Sequence, residues 1–168
     1  GLAALYMDRT LEMSANEVLI TGIGLNVFAG LGAWGFANFD GRVGARPTVL
    51  ISLVLMLDGA GLALAIPTKV AFWVGAVLIG IGLGPNQSAS RSLMARFLPA
   101  GRSAEYYGLF ALSGKATVWM GPLFYTFLMT ATGDQRLALT PLLGMFVVGL
   151  VVLLTVNESR GSARALEG

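Results

Sequence analysis

Long apolar runs joined by short polar connections constrain this chain more than any other feature of its sequence. Five runs, at residues 15–39, 48–66, 70–98, 103–130 and 136–156, are close to or above the roughly 20 residues that a helix needs to cross a bilayer. Charged residues make up only 12% of the chain, against about 25% in a soluble domain. The sequence therefore predicts an integral membrane protein.

The spans are predicted to be helical. Lipid offers no partner to free backbone groups, so only helices and closed β-barrels cross a membrane. A barrel would require segments of about ten residues with alternating polarity, and these runs do not alternate. We expect an all-α fold: a polytopic transmembrane helix bundle with five full spans over residues 8–157. Residues 1–7 should form the end of a truncated helix, and residues 158–168 a cytoplasmic tail.

Local signals mark where several spans begin, bend and end. Ser14 and Glu17 have the spacing of a capping box, which satisfies free N–H groups at a helix start. Pro67 should stop the second span. Gly-Pro steps at residues 84–85 and 121–122 predict kinks within the third and fourth spans. The connections are short, so neighbouring helices should be antiparallel.

The distribution of basic residues predicts the orientation. The loops on one side of the membrane would hold Arg42, Arg46, Arg96, Arg102, Arg160 and Arg164, with Arg91 close by. The loops on the other side would hold only Arg9, Lys69 and Arg136. Because cytoplasmic loops carry the excess of Lys and Arg, the C-terminus should be cytoplasmic. A formal net charge of +2 is too small to indicate a nucleic-acid partner.

The composition argues against an enzyme. The chain has no histidine and no cysteine, which removes the commonest general base and the thiolate nucleophile. The sequence also shows no metal-ligand cluster and no loop that would cradle a phosphate. We expect no catalytic residue, no metal and no cofactor.

Four polar side chains are predicted to lie in one layer near the bilayer midplane. At 1.5 Å per residue, Asn26, Asp58, Gln87 and Lys115 lie about 15 to 20 Å from the cytoplasmic ends of their spans. A charge at this depth normally faces a partner or water. Asp58 and Lys115 could form a structural ion pair, or Lys115 could face a cavity while Asp58 serves as a proton-coupling group. Asn26 and Gln87 could instead be interhelical hydrogen-bonding residues.

Two stretches carry a family resemblance. "DGRVGARP" (residues 40–47) resembles the loop motif G-x-x-x-D-R-x-G-R-R of the major facilitator superfamily, although Gly41 stands where the acid is expected and Asp40 is displaced by one. "QSASRSLMARFLPAGRSAEYYGLFALSGKATVWMGPL" (residues 87–123) is similar to the vacuole-effluxer-like branch, whose yeast members are linked to autophagy. "TGDQR" and "NESRG" also fit that branch.

The resemblance implies an assignment of helices and sites. The five spans would be transmembrane helices eight to twelve of a major facilitator fold, which is slightly less than one of its two halves. The tenth and eleventh helices would line the central cavity, and the cytoplasmic ends would form a gate. The implied cavity residues are Asn26, Gln87, Ser88, Ser90, Lys115 and Thr117. The implied gate residues are Asp40, Arg42, Arg46, Arg91 and Glu105.

The function implied is secondary transport of a small polar solute by alternating access, and the family suggests export of amino acids or related metabolites. The alternative is a half-transporter that serves as a structural or assembly subunit without transport activity. Either reading requires the lipid bilayer and a second half, another membrane subunit or a second copy as partners. We expect the plasma membrane of a prokaryote rather than an organelle.

Overall fold

The computed structural model describes residues 2–98 and 103–156, and every regular element within these ranges is an α-helix. The predicted all-α class is therefore confirmed. Residues 1, 99–102 and 157–168 lie outside the described residues; they include the predicted tail and three arginines used to predict the orientation, Arg102, Arg160 and Arg164. The seven helices are α1 (Leu2–Arg9), α2 (Ala15–Val43), α3 (Ala45–Ala65), α4 (Lys69–Ala95), α5 (Ser103–Val118), α6 (Met120–Thr132) and α7 (Gln135–Thr155).

Among the described helices, four are long and apolar enough to cross a membrane: α2, α3, α4 and α7. They correspond to the predicted spans at residues 15–39, 48–66, 70–98 and 136–156, with ends that differ by up to four residues. α2 begins with the predicted capping box: Glu17 N–H bonds Ser14 Oγ at 3.3 Å, and Ser14 N–H bonds Glu17 Oε2 at 2.7 Å. Two of the four free donors at this helix start are therefore satisfied.

The fourth predicted span, residues 103–130, is not one helix. It is divided at Trp119 into α5 and α6. The cause is Pro122, which lacks an N–H group and whose ring collides with the carbonyl of Val118, four residues earlier. Pro85 has the same chemistry, but α4 continues through it without interruption, and Pro85 is fully buried there. Packing holds α4 together, whereas the break in α5–α6 lies at the surface.

A single residue joins α2 to α3. Gly44 has φ 106° and ψ 162°, a region of the backbone map that is essentially restricted to glycine. Its N–H donates to the Asp40 carbonyl at 3.0 Å, which closes the end of α2. The chain can therefore reverse direction within one residue, and α2 and α3 become antiparallel neighbours.

α4 lies between α2 and α3 and contacts both at backbone distance. A Cβ atom added at Gly59 of α3 would lie 2.6 Å from the Gly75 carbonyl oxygen of α4. One added at Gly80 of α4 would lie 2.9 Å from the Leu25 carbonyl oxygen of α2. Small residues permit this close approach, which gives membrane helices their van der Waals contact.

The end of the bundle that is predicted to face outside contains a compact apolar core. Tyr6, Met7, Leu11, Met13 and Leu139 are buried together. They come from α1, from the connection between α1 and α2, and from α7. The connection therefore packs into the bundle and fixes α1 to it.

Side-chain hydrogen bonds reinforce this end. Thr10 Oγ1 donates to Gln135 Oε1 at 2.6 Å, and Gln135 Nε2 donates to the Tyr125 hydroxyl at 3.2 Å. Lys69 and Glu17 form an ion pair at 3.1 Å. These contacts join the α1–α2 connection to α6 and α7, and α2 to α4.

α5 lies at the periphery. Its main packing partner is α6, which in turn packs on α7. From residue 104 onward, Tyr106 is half-buried and the other side chains of α5 are exposed. α5 therefore contributes little to the core of the described bundle.

The glycine contact between α3 and α4 generates a stability prediction. Gly59→Ala should lower the free energy of unfolding by roughly 1–3 kcal/mol, the usual cost of overpacking. The Cβ atom would meet backbone, which cannot move aside as a flexible side chain can. Thermal unfolding in detergent, followed by circular dichroism, measures the change.

Gly61→Ala is the matched control. It lies on the same helix, and nothing lies within 4 Å of an added Cβ atom. Its melting temperature should equal or exceed that of the unchanged chain, since alanine favours the helix. Equal melting temperatures for the two variants would contradict close backbone packing at Gly59.

Candidate functional site

The half of α4 that is predicted to lie towards the cytoplasm has a polar face and a packed face. Gln87, Ser88 and Arg91 are exposed, and the turns of the helix bring them to one side. Ala89 and Leu93 are buried on the other side. α4 therefore presents amide, hydroxyl and guanidinium groups away from α3.

Ser90 is half-buried. It lies between buried Ala89 and exposed Arg91, at the edge of the packed face. Ser88 Oγ donates to the Pro85 carbonyl at 3.3 Å. Of the cavity residues predicted on α4, Gln87 and Ser88 are thus exposed, and Ser90 is only partly so.

The interhelical hydrogen bond within this layer comes from residues that the sequence did not single out as a site. Asn86 Nδ2 donates to Ser52 Oγ at 3.0 Å, and Ser52 Oγ donates to the Val49 carbonyl at 2.8 Å. Ser52 is fully buried. The signal available in the sequence was a lone serine within an apolar run. Asn86 and Ser52 thus link α4 to α3.

Two predicted cavity residues on other helices, Asn26 and Thr117, form hydrogen bonds within their own helices. Asn26 is exposed, and its Nδ2 donates to the Gly22 carbonyl at 2.8 Å. Thr117 is exposed, and its Oγ1 donates to the Ser113 carbonyl at 2.7 Å. Neither forms the interhelical hydrogen bond that was considered for Asn26. Their side chains remain on the surface of the described bundle.

Asp58 and Lys115 do not form the ion pair that was considered for them. Both side chains are exposed, and no salt bridge joins them. Asp58 shares the exposed face of α3 with Val54, whereas Gly59 and Met56 occupy the face that is buried. Lys115 lies on α5, whose main packing partner is α6. Similar depth along two helices did not imply that the side chains face one another.

Arg46 of the predicted gate contacts the end of another helix. Its Nη2 donates to the Leu154 carbonyl at 2.9 Å, and its Nε donates to the Leu153 carbonyl at 3.4 Å. These carbonyls belong to the last turn of α7. The contact lies within the bundle, and a role in gating stays a prediction.

The other predicted gate residues lie at helix ends. Arg42 is exposed in the last turn of α2, and Arg91 is exposed near the end of α4. Glu105 lies in the first turn of α5. Asp40 is half-buried, and its Oδ1 has no hydrogen-bond partner among the described residues. Among the described residues, no hydrogen bond or salt bridge joins Asp40, Arg42 and Arg91 to one another, and a role in gating stays a prediction for all four residues.

The bundle contains an apolar cavity of about 370 Å³ near the end predicted to face outside. It is bounded by α1, α2, α3, α4 and α7, and its walls include Tyr6, Val18, Leu25, Phe72 and Leu142. None of the predicted polar site residues lines it. A polar solute would find few hydrogen-bonding partners there, so this cavity is not the candidate site.

The comparisons with known proteins agree with the predicted family. The family model described as "Vacuole effluxer Atg22 like" matches residues 1–166. Autophagy-related protein 22 of Cryptococcus neoformans var. neoformans is 28% identical over 181 residues, which cover 98% of this chain and 32% of that protein. The corresponding protein of Yarrowia lipolytica is 25% identical over 177 residues, which cover 98% of this chain and 30% of that protein.

A bacterial protein is also similar. The uncharacterized MFS-type transporter YxiO of Bacillus subtilis is 29% identical over 117 residues, which cover 70% of this chain and 27% of that protein. This chain thus spans about a third or less of these curated relatives.

The expected prokaryotic plasma membrane is not borne out, because vacuolar and bacterial proteins both appear among the relatives. The apolar helices and the family match, which covers every described residue, together show an integral membrane protein: the chain belongs to the Atg22-like vacuole-effluxer family, within the major facilitator superfamily.

Proposed function

We propose that the chain forms part of a secondary-active transporter that moves a small polar solute by alternating access. The observation that carries the proposal is the exposed polar face of α4, made of Gln87, Ser88 and Arg91. In lipid, such groups would lose their hydrogen bonds to water. A polar face on a membrane helix therefore lines a water-filled cavity or meets another protein.

The proposed cavity wall extends to α5. Lys115 is exposed, and a lysine at mid-span is costly unless it faces water or an anionic partner. Thr117 is on the same helix. The peripheral position of α5 leaves Lys115 free to face a solute, since no described acid neutralises it. Lys115 would bind an anionic group of the solute, such as a carboxylate.

The solute class follows from the family and from this chemistry. The matching family is described as vacuole effluxers, which supports export. Amides, hydroxyls and one cation suit amino acids or related metabolites, which carry a carboxylate. No residue in the proposed wall is placed for covalent chemistry, so the site would bind and release its solute unchanged.

We further propose that the cavity is completed by a second transporter half. The chain corresponds to about a third or less of its relatives, and large apolar side chains of α2, α5 and the break between α5 and α6 are exposed. Trp34 is 79% exposed and Trp119 is 72% exposed. A partner half, another membrane subunit or a second copy would cover these side chains, and the C-terminus would lie in the cytoplasm.

The cavity proposal predicts a pattern of solvent access in this cysteine-free chain. Ser88→Cys should react with a water-soluble maleimide in membranes, because its side chain would face an aqueous cavity. Val148→Cys should not react, because Val148 belongs to an exposed apolar face of α7 that would contact lipid. Mass spectrometry of the labelled protein measures both rates.

Ala89→Cys is the second control, since Ala89 is next to Ser88 and fully buried. Reaction at position 88 at least about tenfold faster than at positions 89 and 148 supports an aqueous wall. Equal protection at positions 88 and 148 would mean that the polar face is covered, which favours the structural-subunit alternative.

Transport itself is tested at Lys115. Lys115→Met should abolish exchange of radiolabelled amino acids in sealed membrane vesicles, because it removes the proposed contact with the carboxylate. The amount of folded protein should not change, since Lys115 is exposed and forms no salt bridge with a described acid. Asp58→Asn should act independently of Lys115→Met, since the two are not in contact and distant sites are additive. A double variant that restores full exchange would contradict the proposed role of Lys115.

The proposed orientation is tested by labelling from one side. In sealed, right-side-out cells, Gly41→Cys should be protected from a membrane-impermeant thiol reagent. In sealed organelles whose cytoplasmic face points outward, Gly41→Cys should instead be labelled. Pro67→Cys, at the opposite end of α3, should show the complementary pattern. Labelling of both positions from the same side would overturn the topology.

A further inference from the structure

Two arginines occupy equivalent positions in two antiparallel helices. Arg46 is the second residue of α3, and Arg136 is the second residue of α7. Arg46 donates to the carbonyls of Leu153 and Leu154 in the last turn of α7. The guanidinium therefore lies beyond its own helix start, against the end of its neighbour.

Arg136 makes the reciprocal contact at the opposite end of the helix pair. Its Nη2 donates to the Ala65 carbonyl at 3.0 Å, and its Nε donates to the Leu64 carbonyl at 3.2 Å. Leu64 and Ala65 are the last two residues of α3. Each helix thus supplies, from its first turn, the arginine that binds the last turn of the other.

The chemistry favours this arrangement. The last four carbonyls of a helix have no N–H partner within the helix, and they carry the negative end of its dipole. A guanidinium is planar and offers several N–H donors, so one arginine can bind two successive carbonyls. Neither arginine forms a salt bridge with a described acid. The carbonyls are their main described partners.

We propose that Arg46 and Arg136 are positioning residues that fix the axial register of α3 against α7 at both membrane surfaces. A single contact would leave the helices free to tilt or slide about it, whereas contacts at both ends oppose either movement. α3 also packs along the length of α4 and is hydrogen-bonded to it through Ser52 and Asn86. The arginine pair therefore supports the helix that carries the polar face.

The inference goes beyond the proposed transport function. If α3 and α7 keep their register, any movement that opens or closes the site displaces them as one body. The predicted gate residue Arg46 would then belong to the moving framework rather than to a contact that breaks. The register itself does not depend on which solute is carried.

Amide hydrogen exchange of the chain in detergent micelles or nanodiscs tests the reciprocal contacts. Arg46→Gln should speed exchange in the last turn of α7 by about tenfold, since hydrogen bonds from a charged donor are among the stronger ones. It should leave the last turn of α3 unchanged. Arg136→Gln should give the converse result: faster amide exchange in the last turn of α3 and an unchanged rate of exchange in the last turn of α7.

Arg42→Gln and Arg9→Gln are matched controls, because both arginines are exposed near helix ends and make no described hydrogen bond. Neither should change exchange at the ends of α3 or α7. Arg46→Lys and Arg136→Lys should give intermediate rates, since an ammonium group lacks the planar fork of donors. These conservative variants keep the test open if a glutamine variant fails to fold.

A crossed pattern, in which each variant loosens the partner helix, supports the proposal. A uniform increase over all helices would overturn it, because that pattern indicates general destabilisation. No change at either helix end would also overturn it. These results are independent of transport: loss of solute exchange with a crossed pattern intact would concern the proposed function alone.

Discussion

Close backbone contact between α4 and its two neighbours is the interaction on which the remaining structure depends. In a bilayer, helices gain little from the hydrophobic effect and associate through packing and hydrogen bonds. Glycines on α3 and α4 permit carbonyl-to-backbone contact, as at Gly59 and Gly75. That proximity also brings Asn86 within 3.0 Å of Ser52. The polar residues Gln87, Ser88 and Arg91 continue the stripe that Gly80 and Gly84 form against α2, one to two turns farther along α4, where the side chains are exposed.

The three central helices and the peripheral ones thus have different roles. α2, α3 and α4 form a packed unit, and α7 is held to α3 at both ends by arginines. α5 and α6 lie outside this unit and carry exposed apolar and polar side chains. In the proposed transporter, the packed unit supplies a rigid wall that moves as one body. The peripheral helices, together with the exposed side of α2, supply the surface that meets a second half.

Features that depend on local chemistry could be predicted from the sequence. Features that depend on which side of one helix faces another could not. The capping box at Ser14 and the apolar spans depend on neighbouring residues only, and the capping box and four of the five predicted spans are present among the described residues. Pro85 and Pro122 have identical local signals, yet only the second accompanies a break, because α4 is buried where α5–α6 is not. Depth alone suggested Asp58 beside Lys115, but depth does not give the rotation of either helix about its axis.

The one-residue connection at Gly44 has a consequence for how the protein enters the membrane. Gly44 is the only residue between the two helices, so hardly any free chain separates α2 from α3. α2 and α3 should therefore be inserted together as a helical hairpin. Arg42 and Arg46 lie beside the turn. They would stay on the cytoplasmic side while the far ends of α2 and α3 cross the bilayer. Biogenesis and final topology would then be decided at the same residue.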